Sequence, residues 1–372
     1  MFIKKVKKNK LGDKKRIVVG FSNIYYTGNP RAVFEYMMQH PDKYDVFWVA
    51  KNWRTVKDVK KTGGKVFYIY GLLGIPYFLK ADVWVLAHTG IGNIPFLPHK
   101  NYKLIQTWHG VGPKPIGRKA EDYDPYDVWC VPSIFCKKRE IEIYKAPEEK
   151  IKVTGMARLD TLHKYLKLPK QKLARSVGIK KPHNKIILYA PTAEIGLWPW
   201  NDPYEEFEEL CRFCKKNNLT LILRLHPYTY KKVKKIRIKK IIENYDNVYW
   251  LDMPREPDTM KLLAIADILI TDWSSIYTDY FLTGRPIIYL DVEKERFFSK
   301  KGKSEIPPEY RAGEIVHNSE EFYKALEFVL EHGNRFAEEQ EKLLKIIHGN
   351  VDGKASERVT KVIEELLTTP LK

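Results

Sequence analysis

Two doubly wound α/β domains in tandem are predicted for this 372-residue chain. Three observations carry the prediction. Short β-branched or aromatic runs alternate with longer amphipathic stretches, the pattern of parallel strands joined by crossover helices. The alternation runs twice, on either side of a polar, lysine-rich stretch from Leu159 to Asn184 that holds Pro169 and Pro182. The length accommodates two units at roughly 150 residues each.

A basic leader, Met1 to Lys15, precedes the first strand. Ile17–Phe21 reads as a strand because it is apolar and rich in β-branched residues. Asn29 then caps a helix over Arg31–Gln39, with Pro30 at the first helical position, where a missing N–H costs nothing. Val46–Val49 is the next strand and Trp53–Lys61 the next helix. Val66–Tyr70, Val83–Leu86, Leu104–Trp108, Val128–Val131 and Ile151–Val153 complete the first series. The lysine-rich connection is partly helical. The second series has strands at Ile186–Ala190, Leu219–Leu225, Val248–Leu251, Ile268–Thr271 and Ile287–Leu290. Its helices are Tyr204–Lys216, Thr229–Glu243, Thr259–Ala266 and Ser275–Leu282. The tail from Ser319 to Leu367 is helical in pattern, broken at Gly333 and Gly349. The boundary is placed between an N-terminal domain of residues 1–165 and a C-terminal domain of residues 166–372, which keeps the tail helices.

Composition narrows the function classes. With 65 Lys and Arg against 46 Asp and Glu, the net charge is +19. Such a chain is drawn to nucleic acid, an anionic membrane face or a phosphate-rich substrate. A hydrophobic content of 44% excludes a disordered chain. No run approaches the roughly 18 apolar residues of a membrane span. No apolar core follows the N-terminal lysines, so no signal peptide is read. Four cysteines are too few for a disulfide scaffold, and a reducing, cytosolic compartment is the simplest setting. Cys211 and Cys214 share one helix without a second ligand pair, which favours burial over zinc. Asp122 and Asp124 resemble a metal-binding carboxylate pair but sit in a polar loop. There is no G-x-G-x-x-G fingerprint and no G-x-x-x-x-G-K-S/T loop, which argues against a dinucleotide oxidoreductase or a P-loop NTPase. No cofactor and no metal are expected.

The reactive residues fall at strand ends, where doubly wound folds bind ligands. His109 follows a strand and precedes Gly110, so its ring can stand clear as a general base, or bond a nearby carbonyl as a cap. Strand alternation puts Arg224 and His226 on one side, a pair suited to a phosphate or to structural partners. Ser274 and Ser275 open a helix and offer either an anion site or a plain cap. Asp279 lies one turn into that helix, facing a ligand hydroxyl or a lysine. Thr192 follows another strand end, and Arg158 and Asp160 follow a third. The run Lys231–Lys240 is a dense cationic face. The stretch Gly71–Lys80 is apolar and aromatic, fit for a core or for a membrane surface.

These strand ends resemble one family in combination. Gln106-Thr-Trp-His-Gly110, Thr154-Gly-x-x-Arg158-x-Asp160, Ala190-Pro-Thr192, Arg224-Leu-His-Pro227 and Thr271-Asp-x-Ser-Ser275-x-x-x-Asp279-Tyr are spaced as in the CDP-glycerol glycerophosphotransferases. These are the teichoic acid primases and polymerases of Gram-positive cell walls. Gly28-Asn-Pro-Arg-Ala32 is similar as well, and the likeness runs from about Phe21 to Pro286.

The resemblance implies a GT-B fold, two Rossmann-like domains facing a cleft, with the nucleotide held mainly by the second. It implies transfer of glycerol phosphate from CDP-glycerol to a lipid-linked acceptor of undecaprenyl diphosphate type, with release of CMP. It implies His109 as base and His226 as partner to the donor phosphates. It places Ser274 and Ser275 at the pyrophosphate, with Arg158, Thr192 and Asp279 nearby. Gly110, Asp160 and Arg224 complete the expected substrate-binding set. Polymerases of the family carry a long extra N-terminal region, so the two-domain length points to a primase adding one unit. The basic charge and the Gly71–Leu79 stretch fit a peripheral protein on the cytoplasmic face of the membrane, in contact with anionic lipid. The alternatives are a glycerol- or ribitol-phosphate polymerase, a GT-B glycosyltransferase and, from another class, a basic nucleic-acid-binding protein. No RRM signature, zinc finger or recognition helix supports the last, and no nucleic acid is expected.

Overall fold

The computed structural model describes residues 16–88, 102–182, 185–253, 255–293 and 302–368. The Met1–Lys15 leader lies outside them. The first sheet has seven strands: β1 (Ile17–Ser22), β2 (Tyr44–Ala50), β3 (Val66–Tyr68), β4 (Val83–Leu86), β5 (Lys103–Gln106), β6 (Val128–Val131) and β7 (Ile151–Val153). The second has six: β8 (Lys185–Tyr189), β9 (Leu219–Leu223), β10 (Val248–Trp250), β11 (Ile268–Thr271), β12 (Ile287–Leu290) and β13 (Glu314–Val316). Their orders are β3-β2-β1-β4-β5-β6-β7 and β10-β9-β8-β11-β12-β13, with every pairing parallel. In each sheet the chain starts in the middle, winds to one edge, then returns and winds to the other. Both faces are covered by helices, which is why the strands read as continuous apolar runs. All residues of β4, β6, β9, β11 and β12 are buried.

Thirteen helices are described: α1 (Gly28–Met37), α2 (Trp53–Lys61), α3 (Ile75–Phe78), α4 (Ile134–Tyr144), α5 (Ala157–Leu166), α6 (Lys170–Ser176), α7 (Pro203–Lys216), α8 (Lys235–Glu243), α9 (Thr259–Ile265), α10 (Ile276–Tyr280), α11 (Ser319–His332), α12 (Ala337–His348) and α13 (Ala355–Thr368). The tail breaks at Gly333 and Gly349, both at positive φ, as expected. All four cysteines are buried and free. Other expectations need correction. Asn29 does not cap α1. The helix begins at Gly28, with Thr27 at the capping position, and Asn29 is buried in the first turn. Its amide donates to the carbonyls of Thr107 and Trp108, both at 2.8 Å, and its Oδ1 accepts from the Arg158 amide at 2.9 Å. The side chain thus ties α1 to the loop after β5 and to the first turn of α5, which outweighs a terminal cap. The helix expected over Thr229–Glu243 is a 3₁₀ turn, Pro227–Lys231, followed by α8. That expected over Ser275–Leu282 is α10 and a 3₁₀ turn, Phe281–Thr283. Strand β13 was not anticipated: it is three residues long and begins at a glutamate, so it offers no apolar run.

The domains are not simply sequential. Helix α13, the last described, packs back on the first sheet's side, against α1 and α5. Val359 and Ile363 enter the core built around Val19, Phe34 and Trp48. The Tyr44 hydroxyl donates to Glu364 from the same helix.

Candidate active site

The carboxyl ends of the two sheets meet across a cleft of about 270 Å³. In doubly wound sheets the crevice opens where strand order reverses. Here the reversals lie at β1/β4 and β8/β11, and both feed the cleft. Asn23 to Asn29 arrive after β1, Ala87 and His88 after β4, Ala190 and Pro191 after β8, and Ser274 and Ser275 after β11. His109, Arg158, Arg224, His226 and Asp279 line it too. Residues that follow seven separate strands therefore converge on one space.

The His109 loop is bent by Trp108 at φ 51° and Gly110 at φ +149°. This turn delivers the His109 ring to the cleft. Its Nδ1 lies 3.2 Å from the Ala87 carbonyl. A carbonyl only accepts, so Nδ1 carries the proton and Nε2 keeps its lone pair. The ring is reachable from the cleft but closely surrounded by protein on its other sides. That burial, then His88, Arg158 and Arg118, pushes its pKa down to about 3, against a smaller lift from the Ala87 carbonyl. The ring is neutral and its free nitrogen is an acceptor.

His226 is held the other way round. It caps the 3₁₀ turn after β9, and its Nδ1 accepts the Tyr228 amide at 3.2 Å. An amide only donates, so the proton of the neutral ring sits on Nε2. Burial and the charge of Lys114 depress its pKa, with Glu194 opposing. Lys114 and Glu194 themselves pair across the domains at 2.6 Å.

Arg158 and Asp279 are fixed by each other. The guanidinium Nη2 lies 2.8 Å from the carboxylate, and both side chains are more than nine-tenths buried. Arg158 also donates to the His109 carbonyl. Gly110 makes room for it, since a Cβ there would fall 2.8 Å from Nη2. Burial raises the Asp279 carboxyl pKa even against the charge of Arg158. Behind the pair, His348 is fully enclosed, with Nε2 3.9 Å from Asp279.

The remaining expected residues divide. Ser274 and Ser275 stand at the cleft, and the Ser275 hydroxyl makes no capping bond. Arg224 lines the cleft but is spent on protein. It donates to the Leu251 and Glu256 carbonyls at 2.9 and 2.8 Å and to the Thr259 hydroxyl at 2.7 Å. Thr192 is buried beneath the cleft, where its amide donates to Asp272 at 2.9 Å and its hydroxyl donates to the same carboxylate. Burial pushes the Asp272 pKa up to about 6, with the Thr192 bonds opposing. Asp160 is not brought to the cleft. Its oxygens accept from the Ala355 and Ser356 amides at 3.1 and 2.7 Å, capping α13. Asp122 likewise caps a turn, accepting the Lys119 amide at 2.8 Å. Two residues of the site went unread. Asn29 was read only as a cap. His88 follows β4, and the strand-end rule that singles out His109 would have found it.

A family model described as CDP-Glycerol:Poly(glycerophosphate) glycerophosphotransferase matches residues 3–365. A teichoic acid ribitol-phosphate polymerase, TarK, of Staphylococcus aureus is 26% identical over 354 residues, covering 90% of this chain. This chain spans only 65% of that polymerase's length. A teichoic acid glycerol-phosphate transferase of the same organism is 25% identical, over 92% of this chain and 91% of its own length. Among solved structures, the wall teichoic acid polymerase TagF superposes with a TM-score of 0.71 at 20% identity, over 96% of this chain and 90% of that one. That likeness extends to both sheets and to the GT-B arrangement of two α/β domains.

Proposed function

Because the chain belongs to the CDP-glycerol:poly(glycerophosphate) glycerophosphotransferase family, we propose that it is a teichoic acid primase. It transfers glycerol phosphate from CDP-glycerol to a hydroxyl of an undecaprenyl-diphosphate-linked disaccharide and releases CMP. The observation that carries this reading is the opposed histidine pair. One ring offers a lone pair and the other an N–H, across a single cleft.

The acceptor oxygen attacks the phosphorus that bears glycerol, and the bond from that phosphorus to the CMP oxygen breaks. His109 Nε2 takes the hydroxyl proton. The His226 Nε2–H and the hydroxyls of Ser274 and Ser275 donate to the departing phosphate, where charge grows. Against the protein alone, burial leaves the His109 ring too weakly basic for this task. An anionic diphosphate brought against it raises its proton affinity toward the working range. Arg158 and Asp279 hold the His109 loop against the second domain. In this division the acceptor meets residues 1–165 and CDP-glycerol meets residues 166–372. The match to a relative named a glycerol-phosphate transferase supports glycerol phosphate as the group transferred.

A peripheral position at the membrane follows from the same reading. Among the described residues no helix is long and apolar enough to cross a membrane. Tyr70, Leu72 and Leu73 are 75%, 79% and 85% exposed beyond the end of β3, in the apolar stretch anticipated from sequence. Exposed apolar and aromatic side chains among lysines suit an anionic lipid surface.

The test is CMP release from CDP-glycerol, with and without lipid-linked disaccharide, for wild type and His109→Ala. Acceptor-dependent release that falls about 10²- to 10⁴-fold in the variant is expected. Products many units long would establish the polymerase reading favoured by the names of several relatives, and release only from CDP-ribitol would move the donor from glycerol to ribitol. No release from either donor sinks both.

A further inference from the structure

His88 and His109 leave adjacent parallel strands, β4 and β5, whose register pairs Leu86 with Gln106. The Thr107 amide continues the ladder to the Leu86 carbonyl at 2.8 Å. The two loops therefore emerge side by side, and the two imidazoles lie face to face. Their centroids are 4.8 Å apart and their planes 7° from parallel. The dipeptide Ala87-His88 grips His109 twice. The Ala87 carbonyl fixes Nδ1, and the His88 ring covers a face. Both rings line the cleft, and among the described residues His88 Nδ1 is buried without a hydrogen-bond partner. A buried ring nitrogen without a partner is costly.

We propose that His88 is a positioning residue for the base, a flat platform that holds His109 Nε2 toward the cleft and competes with it for a proton across the stack. The inference rests on the transferase reading above. The charges that act most strongly on the pair are cationic: Lys51 beyond β2 on His88, and Arg158 of α5 and Arg118 on His109. In that surrounding the two rings do not hold two protons together. When His109 takes the acceptor's proton, the new charge lies against a neutral imidazole face. Without the platform the ring is free to turn about its side-chain torsions, and the attacking hydroxyl meets Nε2 less often.

Two variants of the full chain separate platform from proton. His88→Ala removes both, and kcat for CMP release is expected to fall about tenfold or more, with KM for CDP-glycerol changed less than about twofold. His88→Phe keeps the flat face and removes the competing site. It should hold kcat within about threefold at pH 8, with the acid limb of kcat/KM moved to higher pH. Imidazole titration by NMR of ¹⁵N-histidine-labelled protein reads the same shift at His109 without turnover. Wild-type kcat and pH profile in both variants would overturn the proposal, as would a loss confined to KM. Should His88→Ala fail to melt cooperatively, His88→Phe and the titration decide alone. A wild type that releases no CMP removes the transferase reading, and an unmoved His109 titration in His88→Phe removes the pairing.

Discussion

His109 and His226 are held as opposite tautomers on facing sides of one cleft: the first gives its Nδ1 proton to the Ala87 carbonyl, the second takes the Tyr228 amide at Nδ1. Each backbone partner has only one hydrogen-bonding role, so the two rings present different atoms to a ligand. A lone pair is offered on one side of the cleft and an N–H on the other.

The donor role proposed for His226 makes a specific demand. His226→Ala removes a hydrogen bond to a charged phosphate, worth about 1.5–3 kcal/mol, or roughly 10- to 150-fold in kcat/KM. His226→Gln, which keeps an N–H donor, is expected to recover part of that loss. Equal loss in both variants would assign the ring a role other than donation.

Breaking the Arg158–Asp279 pair should cost far more than a surface ion pair. Both side chains are almost wholly enclosed, so removing one leaves a buried charge without its partner. Arg158→Ala is expected to destabilise by about 3–5 kcal/mol. The double variant with Asp279→Ala should cost less than the sum of the singles. Urea midpoints of the four proteins measure the coupling, and simple additivity would show that the pair does not interact.

His348 gives acid sensitivity with a definite sign. Burial first, then Arg158, depresses its pKa to about 3. Unfolded histidine titrates near 6.5. Between those values the unfolded chain binds more protons, so stability falls as pH drops from about 6.5 toward 3. Asp272, raised to about 6, contributes the opposite slope between its unfolded value and that pH. Replacing His348 isolates its share. The fall in urea midpoint from pH 7 to pH 5 is expected to be shallower in His348→Leu than in wild type.

The proposed membrane association divides into two contributions. A net charge of +19 is expected to draw the protein to anionic vesicles in a salt-sensitive way. The exposed Leu72 and Leu73 add an apolar contribution that salt does not screen. Co-sedimentation with phosphatidylglycerol vesicles should weaken as salt rises, and Leu72→Glu with Leu73→Glu should release the residue that high salt leaves bound. Binding indifferent to both changes would place the contact elsewhere.

Strand positions were legible because parallel strands buried on both faces are written as short apolar runs, and β4, β6, β7, β11 and β12 match their expected ranges to the residue. The site was legible at the same level: His109, His226, Ser274 and Ser275 follow strands whose ends meet. What sequence did not show is which polar side chains are spent on the protein itself. Arg158, Arg224, Thr192 and Asp160 carry the same residue types as ligand-binding groups, and only their partners distinguish them. Asn29 illustrates the limit. Asn-Pro is a sound capping signal, yet two segments distant in sequence, the loop after β5 and the first turn of α5, converge on its side chain. Local preference of about 1 kcal/mol cannot compete with several buried hydrogen bonds.

The return of α13 to the first core sets an order of events during synthesis. Strand β7 completes the first sheet at Val153, but Val359 and Ile363 come about 200 residues later. At about 5–20 residues per second, a ribosome needs roughly 10–40 s to cover that distance. Through that interval the apolar groove between α1 and α5 has no cover. The N-terminal half therefore waits, sheet formed and one wall missing, as a client for any chaperone that shields hydrophobic surface on a nascent chain.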